Sequence, residues 1–102
     1  MNKEEIREKK LRKMLDLTRS DLNEERLCQT LRKKFGKRFK VERSLEYPQG
    51  IMVSGEILGL FDGIPGVVWA SVLVKYTFSD GFKSDYVIPA KGFILQYWEQ
   101  IL

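Results

Sequence analysis

Val72-Leu73-Val74-Lys75-Tyr76-Thr77-Phe78-Ser79-Asp80-Gly81-Phe82-Lys83-Ser84-Asp85-Tyr86-Val87-Ile88 holds two runs of period two around a turn sequence. Period two puts successive side chains on opposite faces of a strand, so Val72, Val74, Tyr76 and Phe78 share one face. The turn sets the register. A two-residue Asp80-Gly81 loop would place Phe78 opposite Lys83 and Tyr76 opposite Asp85, mixing apolar and charged faces. A three-residue loop with Gly81 in the left-handed region pairs Phe78 with Phe82, Val74 with Tyr86 and Val72 with Ile88. It also sets Lys75 opposite Asp85 on the other face, as a cross-strand ion pair. The three-residue loop is therefore expected.

Upstream, the strand is read from Val67, with Val68 and Ala70 joining the apolar face. Ile64-Pro65-Gly66-Val67 has the type II pattern, Pro at i+1 and Gly at i+2. Before it, Ile51 to Phe61 reads as a strand with Ile51, Val53, Ile57 and Phe61 on one face. Gly55 and Gly59 fall on that same face and mark a bend, a bulge or close approach of a neighbouring backbone or ring. Pro48-Gln49-Gly50 turns the chain. From Arg38 to Tyr47, Phe39, Val41, Leu45 and Tyr47 alternate with Arg38, Lys40, Glu42, Ser44 and Glu46, a half-buried strand. Downstream, Pro89 ends the ladder, and Phe93 to Leu102 reads as a short helix that is apolar nearly all round. Such a helix must be covered on several sides. It either plugs the sheet or forms half of an oligomer interface, for which Tyr97, Trp98 and Ile101 are the anchors, with Trp69 a further residue of the anchoring type.

The first 36 residues change period to 3.6. Asn2 or Lys3 to about Asp16 is a helix of strong formers, with Glu4, Glu5 and Glu8 early and Lys9, Lys10, Arg12 and Lys13 late. Glu5–Lys9 and Glu8–Arg12 are i,i+4 pairs. Its apolar stripe (Leu11, Met14 and Leu15, with Ile6 and Leu17 at its margins) is thin. Thr18 is the expected cap of a second helix, with Ser20 or Asp21 as the competing start. That helix runs to about Phe35 on a stripe of Leu27, Cys28, Leu31 and Phe35, and Gly36 follows as its terminator.

The expected fold is α+β: two N-terminal helices, a four-stranded, strongly curled antiparallel sheet and a short C-terminal helix. A partly open SH3- or Sm-like barrel is the alternative closure. A length of 102 residues allows one core, so one domain is expected (1–36 basic and helical, 37–90 sheet, 91–102 helix). The nearly apolar run from Ile64 to Val74 is too short to span a bilayer, and no secretory pattern opens the chain; a cytoplasmic protein without membrane partners is expected.

There is one cysteine and no histidine. This excludes an internal disulfide, Ser–His and Cys–His nucleophile pairs and imidazole zinc sites. Cys28 reads as a small buried hydrophobe. No cofactor motif appears; Gly55 to Gly59 lacks the third glycine and the Lys-Ser/Thr of phosphate loops. Glu56 is the best isolated acid, in an apolar context that would raise its pKa if buried, although alternation directs it to solvent. No catalytic residues are assigned, and a non-enzymatic protein is expected.

Charge is divided unevenly. Up to Arg43 there are 15 Lys and Arg against 8 Asp and Glu, a net of +7; from Ser44 there are 3 against 6, a net of −3. The densest stretch, Arg32 to Arg43, holds Arg32, Lys33, Lys34, Lys37, Arg38, Lys40 and Arg43 with one acid, Glu42. These seven are the candidate contacts to nucleic acid or another polyanion. Phe35 and Phe39 fall at core positions, so charge rather than stacking carries that reading. The aromatic set Tyr76, Phe78, Phe82 and Tyr86 resembles a base-stacking platform but lies on the core face. A protein–protein module or homodimer built on the C-terminal helix is the rival.

Overall fold

The computed structural model describes residues 2–19, 24–41, 46–47, 50–64 and 67–102. Of the helices among the described residues, α2 (Glu24–Arg32) and α3 (Ala90–Ile101) pack on an antiparallel sheet, and α1 (Lys3–Thr18) packs against α3 and α2. Its strands are β1 (Arg38–Lys40), β2 (Glu46–Tyr47), β3 (Gly50–Phe61), β4 (Ser71–Phe78) and β5 (Lys83–Pro89). The strand order is β1-β3-β4-β5, and β2 pairs with the start of β3 on the edge that β1 occupies further along. Of the strand expected from Arg38 to Tyr47, β1 and β2 are found, and residues 42–45 lie outside the described residues.

Neither barrel closure nor strong curl is found: β1 and β5 are unpaired with each other and the sheet is open. The molecule measures 41 × 39 × 20 Å, and 20 Å is the thickness of one sheet and one helix layer. Buried side chains form one cluster between them, including Leu27, Leu31, Phe39, Ile57, Val72, Val74, Phe78, Phe93 and Ile94.

The hairpin register is as expected. Val72 faces Ile88, Val74 faces Tyr86 and Lys75 faces Asp85. Gly81 has φ +90°, and the Phe78 N–H donates to the Phe82 carbonyl at 2.8 Å. The Lys75 and Asp85 side chains, though opposite, do not close an ion pair.

Four boundaries differ. α1 continues through Thr18, whose hydroxyl donates to the Met14 carbonyl at 2.9 Å and so cannot cap a following helix; the alternative starts, Ser20 and Asp21, lie outside the described residues. Asn2 caps α1 by accepting from the Glu5 N–H at 2.8 Å. α2 ends at Arg32, three residues early. β4 begins at Ser71 rather than Val67, leaving Val67, Val68 and Trp69 exposed in the connection. There the Val67 N–H donates to the Ile64 carbonyl at 2.9 Å, the bond of a β-turn; Pro65 and Gly66 lie outside the described residues. α3 begins at Ala90, directly after Pro89.

The largest correction concerns β3. Its register slips between Met52 and Ser54 and again between Ile57 and Gly59. Each bulge reverses the facing of the residues beyond it. Met52, Gly55 and Ile57 consequently turn inward, while Ile51, Val53 and Phe61, expected on the core face with Ile57, are exposed.

Candidate polyanion-binding surface

The basic run does not stay together in space. Arg32, at the end of α2, pairs with Asp62. Lys33 is exposed with no carboxylate at ion-pair distance among the described residues. Lys34 is half-buried, and its amine is held below the usual lysine range by burial and then by the charges of Lys13, Lys37 and Lys10. Two α1 lysines, Lys10 and Lys13, therefore join Lys34 and Lys37 in one cationic cluster. Arg43 lies outside the described residues.

Local hydrogen bonding explains this placement. Gly36, at φ +84°, donates its N–H to the Ile57 carbonyl at 2.7 Å, and the Ile57 N–H donates to the Lys37 carbonyl at 3.0 Å. That pair pins the end of the turn to β3 and launches β1 along its edge. Lys40 is fixed by α3: its N–H donates to Gln100 Oε1 at 2.6 Å and its carbonyl accepts from Gln100 Nε2 at 2.9 Å. Lys37, Arg38 and Lys40, with Ser54 and Gln100, line a shallow groove of about 450 Å³.

Phe35 corrects the expectation that both phenylalanines point inward. Because α2 stops at Arg32, Phe35 leaves the helical stripe and is 45% exposed between Lys34 and Lys37. Phe39 is buried as expected, against Tyr97 at 4.4 Å and Phe93 at 5.2 Å.

Arg38 begins a second groove, of about 220 Å³, that also includes Ser54, Glu56, Lys75, Thr77 and Lys83. Glu56 is the acid within it, paired to Arg38 at 3.6 Å. Lys75 and Lys83 were not candidates from the sequence, since they stand singly in an acidic half. The signal was present in the hairpin register, which puts both on the face opposite the core.

The three interface candidates are placed differently from expectation. Tyr97 and Ile101 are buried in the chain's own core, so they are unavailable to a partner in this fold. Trp98 is half-buried beneath the Arg7 guanidinium, 5.7 Å from its ring centre. Of the hairpin aromatics, Tyr76 and Phe78 are buried and Phe82 is exposed. Cys28 is buried, and burial pushes its thiol up, away from the reactive thiolate. No cluster of three or more metal-ligating side chains occurs among the described residues, and no helix among them is long and apolar enough to cross a membrane.

The chain matches no family model, no curated protein and no solved structure.

Proposed function

We propose that this chain is a non-enzymatic binding protein that takes a polyanion, nucleic acid foremost, on the surface built by Lys10, Lys13, Lys34 and Lys37. The observation carrying this reading is the cluster itself. The Lys34 amine is held below the usual lysine range first by burial and then by the charges of Lys13, Lys37 and Lys10, and no carboxylate stands at ion-pair distance from Lys34 or Lys37 among the described residues. A solvated basic face spreads its charges or interleaves acids. A half-buried lysine with further cations beside it is favoured in its charged form by a bound anion. Phe35 adds an exposed ring beside the charges, suited to stacking on a base. Lys37, Arg38 and Lys40 continue the surface along β1.

The test is fluorescence anisotropy with a labelled oligonucleotide at low and moderate salt. Affinity should fall steeply with salt, as counterion release requires. Replacing Lys34 and Lys37 together by Gln should weaken it about tenfold or more at low salt. Absence of binding to nucleic acid and heparin at low salt would sink the reading.

A protein partner is the second reading, favoured by one observation away from the C-terminal helix. Phe61, Ile64, Val67, Val68 and Trp69 are each more than half exposed around the β3–β4 connection. Exposed apolar groups concentrated in this way mark interaction surfaces. Sedimentation of the intact chain and of a Val67→Ser, Val68→Ser variant reads self-association there; a monomer in both cases counts against a homodimer.

A further inference from the structure

The helices cover one face of the sheet, and no described residue on the opposite face is buried. The strand registers order that open face into four rows running across the strands. The first is Lys40, Ser54, Thr77 and Lys83; the second is Arg38, Glu56, Lys75 and Asp85. The third is Gly59, Leu73 and Val87, and the fourth is Phe61, Ser71 and Pro89. The face is therefore divided: four cations, two acids and two hydroxyls occupy one half, and Leu73, Val87, Phe61 and Pro89, with Gly59 and Ser71, the other. Val87 is 60% exposed and Phe61 54%.

We propose that this open face binds single-stranded nucleic acid, its phosphates along the first two rows and its bases over Leu73, Val87 and Phe61. The proposal rests on the polyanion reading above and extends it to a surface that the basic run touches only through Arg38 and Lys40. Charge selects the ligand class. The four cations Arg38, Lys40, Lys75 and Lys83 outnumber the two acids of these rows, Ser54 and Thr77 supply hydroxyl donors between them, and Arg38 pairs with Glu56. Asp85, at the β5 end of the second row, is the remaining acid. Contacts of this kind hold phosphates without reading sequence.

Geometry selects the single strand. Rows on one face follow one another about 7 Å apart along each strand, comparable with the reach from a phosphate to its base. Unpaired bases can then lie on the apolar rows while the backbone keeps to the basic ones. A duplex turns its base faces inward and would leave the third and fourth rows without a partner. An acidic peptide would match the charged rows but not the apolar ones.

Anisotropy titrations of the full chain distinguish these ligands, with a labelled 12-nucleotide single strand, its duplex and a polyglutamate peptide as probes. The single strand should bind at least about tenfold more tightly than the other two. Replacing Lys75 and Lys83 together by Gln should weaken it about tenfold and lower the slope of log affinity against log salt by about 1.4. Val87→Ser should weaken single-strand binding and leave duplex and peptide binding unchanged; circular dichroism and thermal melts verify the fold of each variant. Equal affinity for duplex or peptide overturns the single-strand assignment. Single-strand binding that survives loss of Lys75 and Lys83 but fails with Lys34 and Lys37 overturns the sheet site and leaves the helical surface standing. No binding of any probe at low salt overturns both.

Discussion

The ring of Phe39 covers Gly55 across the β1–β3 pair so closely that a Cβ on Gly55 would meet its Cζ and lie 2.9 Å from Cε1 and Cε2. Phe39 cannot retreat, because Phe93 and Tyr97 of α3 hold its other side at 5.2 and 4.4 Å. Glycine is required at this position by space and not by backbone conformation.

Gly55→Ala should therefore destabilise the fold by about 1–3 kcal/mol, the usual result of overpacking a filled core. Gly59 is the internal control: a Cβ there meets nothing within 4 Å. Gly59→Ala should be neutral or stabilise by up to about 1 kcal/mol, since alanine loses less chain entropy in a strand. Urea titrations of the two variants measure the contrast. Equal effects would mean that the Phe39 ring has room to move.

The two glycines were expected to mark a bend, a bulge or a close approach, and they do so differently: Gly55 lies under the Phe39 ring and Gly59 sits at a bulge. Alternation assigned both glycines to one face together with Ile51, Val53 and Phe61. A bulge adds one residue without leaving a mark in the hydrophobic pattern, so two of them reversed the facing twice. The β4–β5 register had no bulge and was read correctly because the loop chemistry of Ser79-Asp80-Gly81 admits one consistent pairing. For the site, the sequence pointed to the basic run but not to its division. Lys10 and Lys13 join it through the packing of α1 near the turn after α2, and Lys75 and Lys83 through the registers of β3, β4 and β5. Phe35 was misread because helix α2 ended before its apolar stripe did.

Lys34 makes stability depend on pH in a defined direction. Its folded-state pKa lies below the ordinary 10.5, through burial first and then through Lys13, Lys37 and Lys10. The folded protein therefore disfavours the charged amine relative to the unfolded chain. This destabilisation is complete below the folded-state pKa and is relieved as pH rises through that value towards 10.5. Lys34→Gln should raise the thermal midpoint slightly at pH 7, and the gain should shrink as the wild-type amine deprotonates. The same variant should bind polyanion less well. Thermal melts at pH 7 and pH 10 test the trend; a gain that grows with pH would contradict it.

The β4–β5 turn rests on two residues with separable roles. Gly81 has φ +90°, a region other residues occupy only with strain. The Asp80 carboxylate accepts from the Phe82 N–H at 2.9 Å. Gly81→Ala should cost about 1 kcal/mol or more, and Asp80→Ala about 0.5–1.5 kcal/mol. Asp80→Asn keeps an acceptor in place and should recover most of the second loss. Denaturant unfolding of the three variants reads these differences; a Gly81→Ala variant as stable as wild type would contradict the left-handed turn.

The first half of α1 should open well below the global unfolding energy. Its buried residues, Met14 and Leu17, both lie in its last turns. Nearer its start the helix is tied to α3 by Arg7–Glu99 at 3.1 Å, by Lys10 Nζ donating to the Glu99 carbonyl at 3.1 Å and by Arg7 over Trp98. The Arg7 and Glu99 side chains are 67% and 54% exposed, so water and salt screen their pairing and it contributes at most about 1 kcal/mol. Hydrogen exchange should show weak protection over Ile6–Arg12 and stronger protection from Met14 to Thr18. Raising salt, or replacing Arg7 by Ala, should reduce protection in the first segment alone. Uniform protection along α1 would mean that its amino-terminal half is held by packing; bound polyanion, by drawing on Lys10 and Lys13, should raise protection in that same segment.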